Sequence, residues 1–237
     1  WNPETGERFA LPFERLADKR VRARIAFGFA QSWFVVFRDR VTAPKGNPFA
    51  RFEPVLRIDG PWSVDFDPEW GSDKAHLFDQ LTCWTESTDP LVRYYSGTAT
   101  YRKTFNVSKI PDGPTFLDLG RVEVMARVFL NGKDLGVSWK PPHRVEVAGI
   151  LKRGKNKLEV QVVNTWNNRL IGDEQLPLDS EWKDWETLFG WPDWFPNTDK
   201  RPSGRYTFTT ARHYKKDSKL QPSGLLGPVG IQVSSQE

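Results

Sequence analysis

Residues 117–147 read LDLGRVEVMARVFLNGKDLGVSWKPPHRVEV. Val122, Val124, Ala126, Val128 and Leu130 alternate with Glu123, Met125, Arg127 and Phe129. A period of two sends one set of side chains to a buried face, so this run reads as a strand. Asn131-Gly132 then forms a hairpin signal, because both residues tolerate the positive φ of a type I′ turn and Leu130 and Leu135 flank them at strand ends.

The same alternation spreads outward from this hairpin. Upstream, Val21, Ala23, Ile25 and Phe27 alternate with Arg22, Arg24 and Ala26. Trp62, Val64 and Phe66 alternate with Ser63, Asp65 and Asp67, and Ala99, Tyr101, Lys103 and Phe105 follow. Downstream come Leu158, Val160 and Val162, then Tyr206 and Phe208, then Val229, Ile231 and Val233. Short strands of this kind, separated by turn residues, predict an all-β sandwich. Helical signals are brief: Asp73 is placed to cap a turn or two through Leu77, Phe78 and Leu81, and Ala148 to Lys152 can form one turn closed by Gly154. No βαβ alternation, GxGxxG or GxxxxGK[ST] pattern occurs, so nothing in the sequence cradles a phosphate.

Two breaks organise the 237 residues. The segment TAPKGNPFARFEP (42–54) is rich in proline and poor in periodicity, and residues before it hold too few strands for a core of their own. Residues 1–52 are therefore read as terminal strands or a linker of a preceding β-domain, and 53–237 as the sandwich. Within it, Asn164 to Gly204 is a stretch of about 40 residues with little strand pattern, longer than ordinary loops and of the kind that carries function or docks on a partner.

Composition narrows the function classes. The chain carries 34 basic and 30 acidic side chains, a net charge of +4, and no Lys/Arg run longer than Lys215-Lys216 stands without an acid close by, so no nucleic-acid partner is expected. The longest apolar run is WFVVF (33–37), far short of the roughly 18 residues of a membrane span, so no membrane partner is expected either. The one cysteine, Cys83, excludes an internal disulfide and a CxxC motif, and His76, His143 and His213 are far apart, which speaks against zinc. The chain begins at Trp1 with no charged-then-apolar leader, and reads as a piece of something larger.

Catalysis finds little support. Glycoside hydrolysis needs two carboxylates about 5 to 9.5 Å apart. Asp173 and Glu174 are neighbours, which leaves their geometry undefined in a loop. No GxSxG elbow is present, and Ser96-Gly97, Ser203-Gly204 and Ser223-Gly224 read as turns. No catalytic residue is assigned. The tryptophans say more: Trp166, Asn167, Asn168, Arg169, Asp173 and Glu174 combine a large aromatic surface with polar groups within nine residues, the mixture that stacks a sugar face and fixes its hydroxyls. Trp166, Asn167, Arg169, Asp173 and Glu174 are thus candidate ligand-binding residues, and Trp182, Trp185, Trp191 and Trp194 candidate docking residues. The plainer alternative is that these rings give the long segment its own small core.

The runs YYSGTATYRKTFNV (94–107), 117–147 above, GKNKLEVQVVNTWNNRLIGDEQLP (154–177) and SGLLGPVGIQV (223–233) together resemble the galactose-binding-like jelly roll of family 2 glycoside hydrolases. They are still more similar to the carboxyl-terminal β-sandwich of bacterial family 106 α-L-rhamnosidases. WNPETGE (1–7) and FVVFR (34–38) look like the end of the β-domain that precedes this module in such enzymes. The resemblance covers about 180 residues, and NRLIGDEQLP with SGLLGPV is its most specific part. It implies a noncatalytic carbohydrate-binding accessory domain of a larger, exported glycoside hydrolase, periplasmic or extracellular. Its acid and base would lie on a separate barrel, so the partners expected are a carbohydrate ligand and the catalytic domain of the parent chain. A structural spacer, or a fragment whose long loop completes the parent's active site, is the alternative. No cofactor is called. A structural Ca²⁺ held by loop carboxylates stays open, although no DxDxDG run is present.

Overall fold

The computed structural model describes residues 1–4, 6–38, 49, 51–195, 201 and 203–235. Alternation becomes pairing in chain order. Near the start, β1 (Phe13–Arg15) and β2 (Val21–Ala23) form a small hairpin. Then come β3 (Arg51–Arg57), β4 (Trp62–Phe66), β5 (His76–Phe78), a 3₁₀ turn at Trp84–Glu86 and the one-turn helix α1 (Pro90–Arg93). The main body continues with β6 (Thr98–Val107), β7 (Thr115–Asp118), β8 (Arg121–Glu123), β9 (Met125–Leu130), β10 (Lys133–Ser138), β11 (Arg144–Glu146) and β12 (Gly154–Val163). Helix α2 (Asn167–Asp173), β13 (Gly224–Gly227) and β14 (Gly230–Ser235) complete it.

A six-stranded sheet in the order β10-β9-β12-β6-β4-β5 faces a four-stranded sheet in the order β11-β7-β14-β3, with β13 and β8 paired to one side. The strand pairs are antiparallel. The long central strand β12 fixes the register: Val160 lies opposite Tyr101 on one neighbour and Val128 on the other. Those inward residues meet Leu117, Leu119 and Ile231 from the opposite sheet in one core, with Trp62, Trp84, Tyr95 and Tyr101 as its largest fully buried side chains. Burying each such ring contributes about 1.5–3 kcal/mol over leaving it in water. The Tyr101 hydroxyl accepts from Trp84 Nε1 and from the Leu225 amide, which satisfies these polar tips, whereas the buried Trp62 Nε1 has no hydrogen-bond partner among the described residues. No helix among the described residues is long and apolar enough to cross a membrane.

The all-β sandwich and the Asn131-Gly132 turn stand as read: φ is +54° and +82° at the two residues, and Lys133 pairs with Leu130. Other elements differ. The run from Val122 to Leu130 is two strands, because the chain changes partner at the exposed Val124: β8 pairs with β13 and β9 with β12. Only Val21–Ala23 of the Val21–Phe27 run is a strand, exposed on both faces and paired with β1 alone rather than with either sheet of the sandwich. The turn of helix from Asp73 is instead the strand β5, in which Leu77 points to solvent between His76 and Phe78. Tyr206 and Phe208 lie in no strand, because the amides of Tyr206 and Thr207 donate to the Asp173 carboxylate rather than to a neighbouring strand. Ala148 to Ile150 does form a turn, with Leu151 N donating to Val147 O at 3.0 Å.

Most of the proline-rich break, residues 42–48 and 50, lies outside the described residues. The boundary read at 52/53 falls inside β3, whose Phe52 and Glu53 both pair with β14. The amino-terminal segment reaches the sandwich through Lys140, whose Nζ pairs with Glu4 and donates to Ala30 O at 3.1 Å.

Candidate functional site

The long segment after β12 leaves the sandwich through a fixed joint. Asn164 Nδ2 donates to Tyr95 O at 2.8 Å and to Ser223 Oγ at 3.0 Å, while Asn164 Oδ1 accepts from Gly97 N at 3.0 Å. The chain then winds into α2. This seven-residue helix has no side-chain N-cap, and helices so short are marginal alone, so tertiary contacts hold it. Asn168, fully buried, donates to Gln221 O and Ser223 Oγ and accepts from Gln221 N; the Arg169 amide donates to Ser96 Oγ.

The candidate ligand residues fall into two groups. Trp166, the residue before α2, is 51% exposed and stands almost perpendicular to Trp70, with ring centroids 5.7 Å apart. Trp70 also neighbours Tyr206 at 6.3 Å. Asn167, beside Trp166, donates through Nδ2 to the Tyr214 hydroxyl. Arg169, Asp173 and Glu174 are instead buried, at 4%, 2% and 6% exposure.

Each of the buried three is engaged. Asp173 Oδ2 accepts from Tyr206 N (3.0 Å), Thr207 N (2.6 Å) and Thr207 Oγ1 (2.6 Å), and Oδ1 lies 3.3 Å from Arg169 Nε. The Arg169 guanidinium rests 4.6 Å from the centre of the Tyr206 ring, and burial pulls its pKa down against the opposing charge of Asp173. Glu174 takes Arg205 Nη1 at 3.0 Å on one oxygen and Arg212 on the other. Asp179, further along, binds Arg201 and Ser203; burial would raise its pKa, but those two donors together hold it below the usual carboxylate value. Between these side chains runs a crevice of about 30 Å³, lined by Asp173, Glu174, Asp179, Arg205, Arg212 and Trp182. It has room for about two waters. A sugar ring does not enter it.

Chemically, this is a clasp. The acids of α2 and its exit hold the returning chain by charge-assisted bonds to Arg201, Arg205 and Arg212 and to the backbone amides of Tyr206 and Thr207. Both Glu174 oxygens and Asp173 Oδ2 are taken by cations, a hydroxyl and amides, and the remaining Asp173 Oδ1 is buried facing Arg169, an arrangement that does not fit a calcium ion. Among the described residues no group of three or more His, Cys, Asp or Glu is arranged to hold a metal.

The four candidate docking tryptophans are placed unequally. Trp194 is 9% exposed, donates from Nε1 to Asp179 O at 2.7 Å and packs edge-on to Phe208, so it serves the segment's own small core. Trp182 is half-buried. Trp185 lies under Arg212, with its ring centre 3.8 Å from the guanidinium carbon. Trp191 is 66% exposed and stacked on Phe195 at 4.9 Å; with Phe189 and Leu178 also exposed, an apolar surface remains on the segment. Sequence reasoning passed over Trp70 and Tyr206 beside Trp166, because they come from distant parts of the chain. It also passed over Arg201, Arg205 and Arg212, whose signal was present: three guanidinium groups in the return, with acids in the exit to need them.

The galactose-binding-like domain model of glycosyl hydrolase 2 matches residues 83–204. A protein of Formosa agariphila named "Putative beta-glucuronidase" is 46% identical over 184 residues, which is 76% of this chain and 16% of that protein. The rhamnosidase structure from Novosphingobium sp. PP1Y superposes with a TM-score of 0.70 at 32% identity, covering 98% of this chain and 20% of its own. The chain thus spans a fifth or less of the length of these two relatives.

Proposed function

We propose, for a chain that belongs to the galactose-binding-like domain family of glycosyl hydrolase 2, that it is a noncatalytic accessory sandwich of a larger bacterial glycoside hydrolase of rhamnosidase type, exported to meet its polysaccharide, and that its long segment packs against the catalytic domain of the same polypeptide. One observation carries the reading: the segment's acids are spent clasping its own return and its asparagines tie it to the sandwich, while Trp185, Phe189, Trp191 and Phe195 stay on its solvent side. Apolar surface held open at such a cost in ordering marks an interaction site. The likeness to the Novosphingobium rhamnosidase over 98% of the chain supports the rhamnosidase type.

A second reading, carbohydrate contact, rests on Trp166. It is half in water, perpendicular to Trp70 and next to Asn167, while Arg169, Asp173 and Glu174 brace the helix beneath it. In this reading Trp166 and Asn167 touch the sugar and the buried three position them.

Oxidative footprinting of Trp185 and Trp191 tests the first reading: both are expected to be reactive in this chain and protected in the full-length parent, and equal reactivity in the two refutes it. The purified chain is also expected to release no nitrophenol from aryl rhamnosides or galactosides. Release abolished by Asp173→Asn or Glu174→Gln would overturn the noncatalytic assignment. Titration with rhamnose, galactose and pectic oligosaccharides should show binding lost in Trp166→Ala and kept in Trp191→Ala; the reverse pattern moves the sugar contact to the docking face.

A further inference from the structure

The turn and strand built from LKRGKNKLEV (151–160) put Lys152, Arg153, Lys155 and Lys157 on solvent with no acid between them. Asn156, buried in their midst, fixes the turn: its Oδ1 accepts from Lys152 N at 2.9 Å and its Nδ2 donates to Lys152 O and Gly154 O. Pairing brings further cations alongside. Gly154 sits opposite Val107, with Lys109 just beyond. Asn131 Oδ1 accepts from Lys157 N at 3.0 Å and its Nδ2 donates to Asn156 Oδ1 at 2.8 Å, which ties in the hairpin that presents Lys133.

Among the described residues, Lys133, Lys152, Arg153, Lys155 and Lys157 have no carboxylate within ion-pair distance, and Lys109 has only the exposed Asp112 at 3.4 Å. The whole chain has a net charge of +4. One end of the sandwich therefore carries an excess at least as large as that of the entire protein, and the rest is close to balanced.

A charged face can simply be a solvated one. Here it surrounds a hollow. Between the two sheets at this end opens a concavity of about 460 Å³, with Val107, Leu151 and Ile231 as its floor and Lys109, Arg153 and Ser108 at its rim. Lys157 continues to a depression of about 600 Å³ on the outer face of the six-stranded sheet, lined also by Phe129, Lys103 and Arg102, the last paired with Glu159, which stands between Arg102 and Phe129. Volumes of this size suit one or two sugar rings. An apolar floor meets the C–H face of a ring, and a cationic rim meets acid groups along a chain.

We propose that this end of the sandwich binds an acidic glycan, a polysaccharide carrying carboxylate or sulfate groups, at a site separate from Trp166 and the docking face. Nucleic acid would answer the charge but not the hollow, because an aliphatic floor gives bases nothing to stack on.

Affinity electrophoresis and calorimetry of the whole chain with polygalacturonate, dextran sulfate, uncharged dextran and duplex DNA test this. Binding to at least one acidic glycan is expected, weakened by salt as exposed charge pairs are, with no binding to dextran. The preferred polymer tells carboxylate from sulfate. Reversing two cations of this end together, Arg153→Glu at the rim with the adjoining Lys155→Glu, should weaken binding about tenfold, as the loss and inversion of exposed pairings implies. Ser108→Trp, which fills the hollow without altering charge, should weaken it too, whereas Lys183→Glu with Lys219→Glu, equal in charge but elsewhere, should not. All these positions are exposed, and unchanged melting of the variants verifies the fold. Absence of binding, equal binding to dextran, DNA bound as tightly as the glycans, indifference to Ser108→Trp, or equal loss in the two charge-reversal pairs would each overturn the proposal.

Discussion

Asp173→Ala separates a clasp from a ligand contact. The native carboxylate accepts three hydrogen bonds from Tyr206 and Thr207 and faces Arg169 at 3.3 Å, with both side chains buried. Removing it strands a buried guanidinium, a loss of about 3–5 kcal/mol in comparable broken pairs. That is a large fraction of the ~5–15 kcal/mol that holds a typical domain together. The loss has a ceiling, because segment 203–214 can detach before the sandwich unfolds, and the cost cannot exceed the free energy of that local opening. Two readouts are therefore needed: urea unfolding followed by Trp fluorescence for the whole, and hydrogen exchange at the Thr207 amide for the segment. Exchange there should rise steeply in Asp173→Ala. Adding Arg169→Met removes the stranded charge and should recover at least ~1 kcal/mol relative to the sum of the single variants. A loss under about 1 kcal/mol with Thr207 still protected, or strict additivity of the two changes, would refute the clasp and return Asp173 to the ligand.

Gly132→Val should destabilise by about 1–2 kcal/mol from its left-handed backbone alone, since nothing lies within 4 Å of a side chain at that φ of +82°; an unchanged Tm would place the strain elsewhere. Gly120→Ala should cost more than Gly132→Val, because its added carbon would lie 2.4–2.6 Å from the Gly227 and Pro228 backbone at a φ of +64°; a milder effect in urea titration would show that this crossing yields. Burial holds the His143 imidazole below its ordinary pKa of 6.5, against the opposing pull of the Ser138 backbone and of the charges on Asp118 and Glu123. The unfolded chain then takes up a proton near 6.5 while the folded one resists, so the stability at stake is intact above that pH and lost as pH falls toward the folded value. Unfolding measured between pH 7.5 and 5.5 should slope accordingly and flatten in His143→Asn; identical slopes would remove His143 from the account.

The sandwich was legible because its strands obey two rules at once. Asn156, Leu158, Val160 and Val162 alternate inward along β12, and Asn131-Gly132 has the one dipeptide chemistry its turn needs. Local pattern and tertiary burial agree there. They part company in the long segment. Tyr206 and Phe208 alternate as a strand would, yet the amides of Tyr206 and Thr207 go to a carboxylate 33 and 34 residues upstream, a pairing with no periodicity to announce it. Helix α2 was hidden for a related reason: NNRLIGD has weak helical preference and no cap, and Asn168 holds it only through Gln221 and Ser223.

The candidate site shows the same division at the level of single residues. An acid beside a tryptophan reads alike whether it faces a sugar or braces a loop; what decides is whether the chain later supplies cations that can reach it. Arg201, Arg205 and Arg212 do so for Asp179 and Glu174, which turns the most conspicuous polar cluster inward and leaves Trp166, Trp185 and Trp191 exposed. The cations of residues 152–157 present the converse: no acid among the described residues returns to meet them, so their charge stays on the surface. Buried pairing consumes the charge of one cluster for architecture, and its absence leaves the other available for recognition.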